Sequence, residues 1–393
     1  MTATRLSTGL TVSLVCLGLT TVVWRYRPVH WVRTHSFTSS LFWTVRSWFW
    51  NYPLTPDFEI WDEGDPRHNE EWKKEKLRTV RIWDFLAPYF AERGYTLYVR
   101  EKLADPLSKR YPASSMINSS RLSYPYAPCI CSNDRDFEVN IVASRVWAAR
   151  DSEGRDVIIK AISGAVPTNE LRALQLLHSE PLCNDPRNHT IPVIEYIEFN
   201  QQTFVVMPRW SDVVLCDFST VGEIIRYART FLEALAFLHE NNITHGDITS
   251  QNMSMDVLMP CAPYPEYYVG YHGPERKYAF IDFEVAELPT VNGAPSSGFE
   301  QSSTRDIAWL AHTLEIHLRC IEHVVPRMND FLTSMGMDKW ESLPTATAVL
   351  SSFDELCLHL SSEKLNLPLK AYRWDRGLYN SYHGRRLVLN LPS

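Results

Sequence analysis

The stretch ITHGDITSQN, residues 243–252, decides how this chain is read. It carries His245, Asp247 and Asn252 in a short loop between two longer apolar patterns. Upstream, residues 220–240 place Ile224, Ile225, Phe231, Leu235 and Leu238 at helical spacing. Downstream, YAFIDFEVAEL reads as a strand running into a turn, and RDIAWLAHTLEIHLRCIEHV as a helix.

Further upstream the pattern turns to strands. FEVNIVASRVWAA and RDVIIKAI are joined by a turn containing Gly154, and IPVIEYIEF and QTFVVMPRW are separated by NQQ. Residues 168–179 form a helical pattern between these pairs. A β-rich half thus precedes an α-rich half, which predicts two lobes with a cleft between them.

Composition bounds the rest. The chain has 393 residues, 22% charged and 45% hydrophobic, and a net charge of -7. That describes a globular protein with a sizeable core and gives no reason to expect nucleic acid as a partner. Of eight cysteines only Cys129 and Cys131 are close, without the spacing of a zinc site, so reduced thiols facing the cytosol are expected.

Residues 6–24, LSTGLTVSLVCLGLTTVVW, are uncharged and long enough to cross a bilayer as a hydrophobic N-terminal helix. Arg5 precedes them and Arg25, Arg27, Arg33 and Arg46 follow, so the expected arrangement is a membrane anchor with the remainder facing the cytoplasm. LFWTVRSWFW, residues 41–50, suits the membrane surface. A cleaved secretory signal and a mitochondrial presequence are the alternatives, the second because no Asp or Glu precedes Asp57. Eight of the 13 Trp lie between Trp24 and Trp83. Residues 69–93 read as a helix stopped by Gly94, followed by a short strand in YTLYV.

The spacing of His245, Asp247 and Asn252 resembles the catalytic loop of the protein-kinase superfamily. The segments FLAPYFAERGYTLYVRE, DPRNHTIPVIEYIEF and FVVMPRW look like a group of fungal protein-kinase-like proteins. The resemblance covers about residues 80–360 and implies an α+β bilobal fold with a β-rich N-lobe and an α-helical C-lobe. The expected organisation is an anchor over residues 1–30, an aromatic-rich extension over 31–134, a kinase-like domain over 135–365 and a tail over 366–393. By the resemblance Lys160, held by Glu170, contacts phosphates, and Asp247 accepts the substrate hydroxyl proton. Asn252 and Asp282 hold Mg²⁺, and Ser144, Val146 and Met207 line the nucleotide. ATP and Mg²⁺ are the implied cofactors, and a protein Ser/Thr hydroxyl the implied acceptor. His245 is expected to brace the loop.

Several positions depart from the family. Aligning Val146 on its Val puts the glycine positions of the phosphate loop on Val139, Ile141 and Ser144, whose side chains obstruct close backbone approach. Thr249 stands where a charge-stabilising Lys is usual. Gly246 replaces the Arg that binds an activation-loop phosphate, and Glu284 the Gly of Asp-Phe-Gly. Ser296 and Leu343 replace both members of an ion pair, so neither charge is left alone. The expectation is a divergent protein kinase of low activity. The alternatives are a pseudokinase acting as a binding module, favoured by the lost glycines, and a small-molecule kinase of the choline or aminoglycoside type, favoured by His-Gly-Asp and Asp-Phe-Glu.

Overall fold

The computed structural model describes residues 37–50, 52, 54, 57–61, 69–102, 108–113, 123–129, 137–139, 143–259, 268–336, 343–369, 371–375, 378–381 and 387–388. The stretch 6–24 and Ile141 lie outside them. Among the described residues no helix is long and apolar enough to cross a membrane.

The described residues open with helix α1 (Phe37–Trp50) and helix α2 (Asn69–Ala91), the latter followed by Gly94 at φ +87°. Five strands then build one antiparallel sheet: β1 (Thr96–Leu97), β2 (Val146–Arg150), β3 (Asp156–Ser163), β4 (Glu195–Phe199) and β5 (Gln202–Pro208), in the order β1-β2-β3-β5-β4. The turn from β4 to β5 puts Asn200 and Gln201 at φ 52° and 61°, the left-handed pair that matches the twist of a tight hairpin. Helix α3 (Asn169–Leu177) lies between β3 and β4 in the chain and is capped by the Thr168 side chain. The second half is built on α4 (Val221–Glu240), capped by Thr220, and α5 (Phe299–Leu318). Between them a small hairpin pairs residues 253–255 with 278–280. A sheet followed by helices is compatible with the kinase-like bilobal arrangement that the resemblance implies.

Two differences from the sequence reading matter for the site. Among the described residues of the run FEVNIVASRVWAA, strand begins at Val146 and continues to Arg150 just beyond it, while Val139 makes an isolated bridge to Arg110. The strand that completes the sheet comes instead from Thr96 and Leu97, paired with Arg150 and Ala149. The reason lies in the two faces of the sheet. Side chains alternate along a strand, so a sheet covered on both faces reads as a continuous apolar run. Trp147, Ala149, Val157, Ile159, Phe199, Phe204 and Val206 share one cluster with Trp43, Trp61, Trp83, Phe85 and Phe90 of the aromatic-rich segment. Trp83 stacks on Trp147 at 5.7 Å between centroids. Described residues of the aromatic-rich segment, Trp43 to Phe90, thus cover this face of the sheet, and Thr96 and Leu97 supply its edge strand.

The cluster that holds the helical half also takes in Leu171, Leu174, Val205 and Met207 of the sheet half. His272 is fully buried, with Nδ1 3.0 Å from the Tyr278 hydroxyl and Nε2 3.3 Å from the Cys216 carbonyl. Burial pulls its pKa from 6.5 down to about 3. The folded state therefore holds it neutral while the unfolded chain protonates, and its contribution to stability is full above pH 6.5 and is lost as pH falls towards 3. Asp212 and Asp256, pushed up to about 6 by burial, act in the opposite sense over an overlapping window. The expected result is differential: the urea midpoint of His272→Gln changes less between neutral and mildly acidic pH than that of the parent. Equal changes would exclude His272 as the acid-labile group.

Candidate functional site

β3 sets the first group. Lys160 lies two residues from Ile158 on the same face, opposite that of Ile159. Its Nζ is 2.6 Å from Glu170 Oε1, in the first turn of α3, and 2.9 Å from Asp282 Oδ1. The pair Lys160–Glu170 is buried, whereas the Asp282 side chain is 37% exposed and faces the opening. Burial pulls the Lys160 amine down, but the carboxylates of Glu170 and Asp282 outweigh it and hold its pKa above the ordinary value. Burial raises the Asp282 carboxyl, yet Lys160 more than offsets this, and the net shift is downward. Burial pushes the Glu170 carboxyl up against the opposing pull of Lys160.

The facing group comes from the loop after α4. Asn252 Nδ2 donates to the Asp247 carbonyl at 2.8 Å and to Asp247 Oδ2 at 2.9 Å. The amide oxygen is then the end of Asn252 turned away from Asp247. His245 is fully buried between Phe280 and Phe283. Its Nδ1 accepts from the Asp247 N–H at 3.3 Å, which makes Nε2 the protonated nitrogen, donating to the Ile281 carbonyl at 3.0 Å. Burial lowers its pKa, in keeping with a neutral ring. His245 thereby ties the Asp247 loop to the strand end that carries Asp282.

Asp306 of α5 fixes the same loop from below. Its carboxylate accepts from the backbone N–H of His245 and of Gly246, both at 2.8 Å, and lies 3.2 Å from His239 Nε2. Gly246 has φ +82°, and a Cβ there would stand 2.6 Å from the Val285 carbonyl oxygen. Only glycine meets both conditions. Gly246→Ala is expected to cost about 2 kcal/mol or more in urea unfolding, and Gly246→Arg at least as much, so an Arg is not accommodated at this position. A Gly246→Arg variant as stable as the parent would refute this geometry. Asp282 is itself held at φ +66°, an unusual backbone for a non-glycine residue, at the point where its carboxylate meets Lys160.

Gly246, Asp247, Asp282, Glu284 and Val285 line an open hollow of about 260 Å³. Glu284, in its wall, also pairs with Arg145, with Oε1 2.7 Å from Arg145 Nη1. This ion pair joins the residue just before β2 to the Asp282 loop. The sequence offered no sign of it, because the partners are far apart in the chain.

The remaining expected residues divide. Val146 pairs with Lys160 across β2 and β3, and Met207 of β5 pairs with Ile158. Ser144, by contrast, is not brought to this group. It is buried beneath α2, its hydroxyl 3.1 Å from that of Thr79 and its carbonyl accepting from Trp83 Nε1 at 2.8 Å. Val139 packs with a separate cluster.

That cluster bears directly on the cleft. Ala148 and Ile158 form a cross-strand pair two residues along from Val146 and Lys160, so they share the same face of the sheet. Against them pack Tyr98, Ala127 and Phe137 from the chain between β1 and β2, together with Leu258 and Trp210. The infill is pinned by hydrogen bonds: Tyr98 N–H to the Ala148 carbonyl at 2.9 Å, Leu258 N–H to the Pro128 carbonyl at 2.9 Å, and Trp210 Nε1 to the Pro125 carbonyl at 2.8 Å. Arg209 adds bonds to the Tyr98 hydroxyl at 3.0 Å and the Phe137 carbonyl at 2.9 Å. The sheet face beside Lys160 is therefore covered by the chain's own side chains.

No family model matches the chain, and no curated protein matches it. Among solved structures it is similar to the crystal structure of Rad53 kinase domain and SCD2, with a TM-score of 0.38 and 15% identity, covering 57% of this chain and 92% of that one.

Proposed function

We propose that this chain is a divergent kinase-like phosphotransferase, using ATP and Mg²⁺ to phosphorylate a protein Ser/Thr hydroxyl at a low rate. The observation that carries this reading is Lys160 held between Glu170 and Asp282, with Asp282 lining one hollow together with Asp247, itself hydrogen-bonded to Asn252. The donor set suits the cation: a carboxylate from Asp282 and an amide oxygen from Asn252 are hard oxygen ligands, and Mg²⁺ commonly takes few protein ligands, with phosphate and water completing its shell. Bound there, Mg²⁺ with the nucleotide would supply charge neutralisation of the transferring phosphoryl group. Lys160, preorganised by Glu170, would place a fixed positive charge beside the phosphates. Asp247, oriented by Asn252, would accept the proton of the acceptor hydroxyl.

One observation favours a pseudokinase as the second reading: Tyr98, Ala127 and Phe137 cover the sheet face where a base would lie beside the phosphates. The two readings separate in a thermal-shift comparison of Mg·ATP with Mg·tripolyphosphate, which lacks the base. A phosphotransferase binds Mg·ATP better, and Asp247→Asn keeps that binding while stopping turnover. Equal shifts from both ligands, or none from either, reject the phosphotransferase reading.

A further inference from the structure

Helix α1 presents two faces of unlike fate. Trp43 packs edge-on to Phe85 and Phe199, and Ser47 is buried beside it. At 100° per residue, Leu41, Phe42, Val45, Trp48 and Phe49 fall on one continuous arc on the other side. Phe42 is 49% exposed, Trp48 52% and Phe49 85%. Their groove, of about 530 Å³, contains one charged residue, Arg46. That guanidinium is turned inward, donating to the carbonyls of Phe85 at 2.9 Å and Asp84 at 2.8 Å. A helix that leaves this much aromatic surface bare is not explained by the fold it packs on.

Beside this groove lies a second hollow, of about 310 Å³, which shares Trp50 with it. Lys74, Arg78 and Arg81, on one face of α2 by their spacing, form its charged wall, and Leu77 and Ile82 add apolar lining. Glu71 and Glu75 lie within one turn of Lys74 and Arg78, but no described acidic residue lines the hollow, and Glu70 pairs with Lys73 at 3.2 Å. Aromatic surface therefore adjoins a hollow whose charged lining is basic, with Arg78 also donating to the Ile60 carbonyl at 3.3 Å.

The chain that leads into α1 has the same chemistry. Residues 6–24 carry no charge, Arg25, Arg27 and Arg33 follow, and no acidic residue occurs before Asp57. We infer that α1 and the hollow of Lys74, Arg78 and Arg81 form a docking surface for an anionic lipid bilayer. The exposed face of α1 lies in the interface and the three basic side chains meet lipid phosphates. Trp and Phe at interfacial depth, flanked by basic side chains, are what such a surface requires.

Residues 6–24 are long enough to hold the chain at a vesicle by themselves, so the readout must be local to α1. The full chain carrying photoreactive benzoylphenylalanine at position 49 is mixed with vesicles of phosphatidylcholine and phosphatidylserine and irradiated. Position 291, fully exposed elsewhere on the molecule, serves as the control. Lipid adducts at 49 and none at 291 are expected. The triple variant Lys74→Glu, Arg78→Glu, Arg81→Glu should lower the adduct yield at 49 several-fold with phosphatidylserine present and leave it unchanged in phosphatidylcholine alone. Adducts from position 49 to a second protein chain or to residues 6–24, with none to lipid, would overturn the inference. So would the absence of lipid adducts, or a triple variant that labels as well as the parent in anionic vesicles.

Discussion

Lys160→Met is expected to lower the free energy of unfolding by about 3–5 kcal/mol and to abolish any stabilisation by Mg·ATP. The cost arises from Glu170, which stays buried at 4% exposure with its carboxylate stripped of the amine 2.6 Å away. Asp282, more exposed, can recover solvation and adds less. Removing both members of the buried pair should reverse most of the loss, because an apolar pair of similar volume carries no desolvation penalty. The double variant Lys160→Met, Glu170→Leu is thus expected to unfold at a urea midpoint close to the parent while still failing to bind nucleotide. If the double variant is no more stable than Lys160→Met alone, the buried ion pair is not the origin of the cost.

Asp306→Ala is expected to cost about 2–5 kcal/mol, since it leaves the N–H groups of His245 and Gly246 without their acceptor in a buried loop. Asp306 is 1% exposed and accepts both bonds at 2.8 Å, so water has little route to replace it. Asp247 follows directly in the chain, and loss of this anchor should also remove whatever turnover the parent shows. Asp306→Asn keeps one accepting oxygen and should fall between the two. A urea midpoint for Asp306→Ala equal to that of the parent would contradict this role. Asp306 does not itself line the hollow, so its effect on turnover runs through the position of the loop.

How much of this was legible depended on the range of the interaction. The helices now seen at Val221–Glu240 and Asn169–Leu177 were readable because apolar spacing and Thr caps act within a few residues. The β4–β5 hairpin was readable for the same reason, its turn residues adjoining its strands. The close approach of Asp247 and Asn252 was implicit in their spacing, because a short loop cannot hold them far apart. The edge strand at Thr96 and Leu97 was not readable as a partner of Arg150 and Ala149. Strand pairing is non-local, and the segment 98–145 between them carries no periodic signal that reports which strand it returns to. The partners of Ser144 are not legible for a related reason: strand alternation does not say which face a flanking residue turns to once α2 packs there with Thr79 and Trp83.

By itself, then, the sequence determined the elements and the list of chemical groups, because propensity, capping and motif spacing are local. The tertiary structure alone decided which groups meet. It drew Lys160, Glu170 and Asp282 together, set Arg145 against Glu284, and required glycine at 246 through the approach of the Val285 carbonyl. It also filled the sheet face beside Lys160 with Tyr98, Ala127 and Phe137. Each of these is a contact between segments distant in the chain, where burial and close packing, rather than local preference, choose the neighbour.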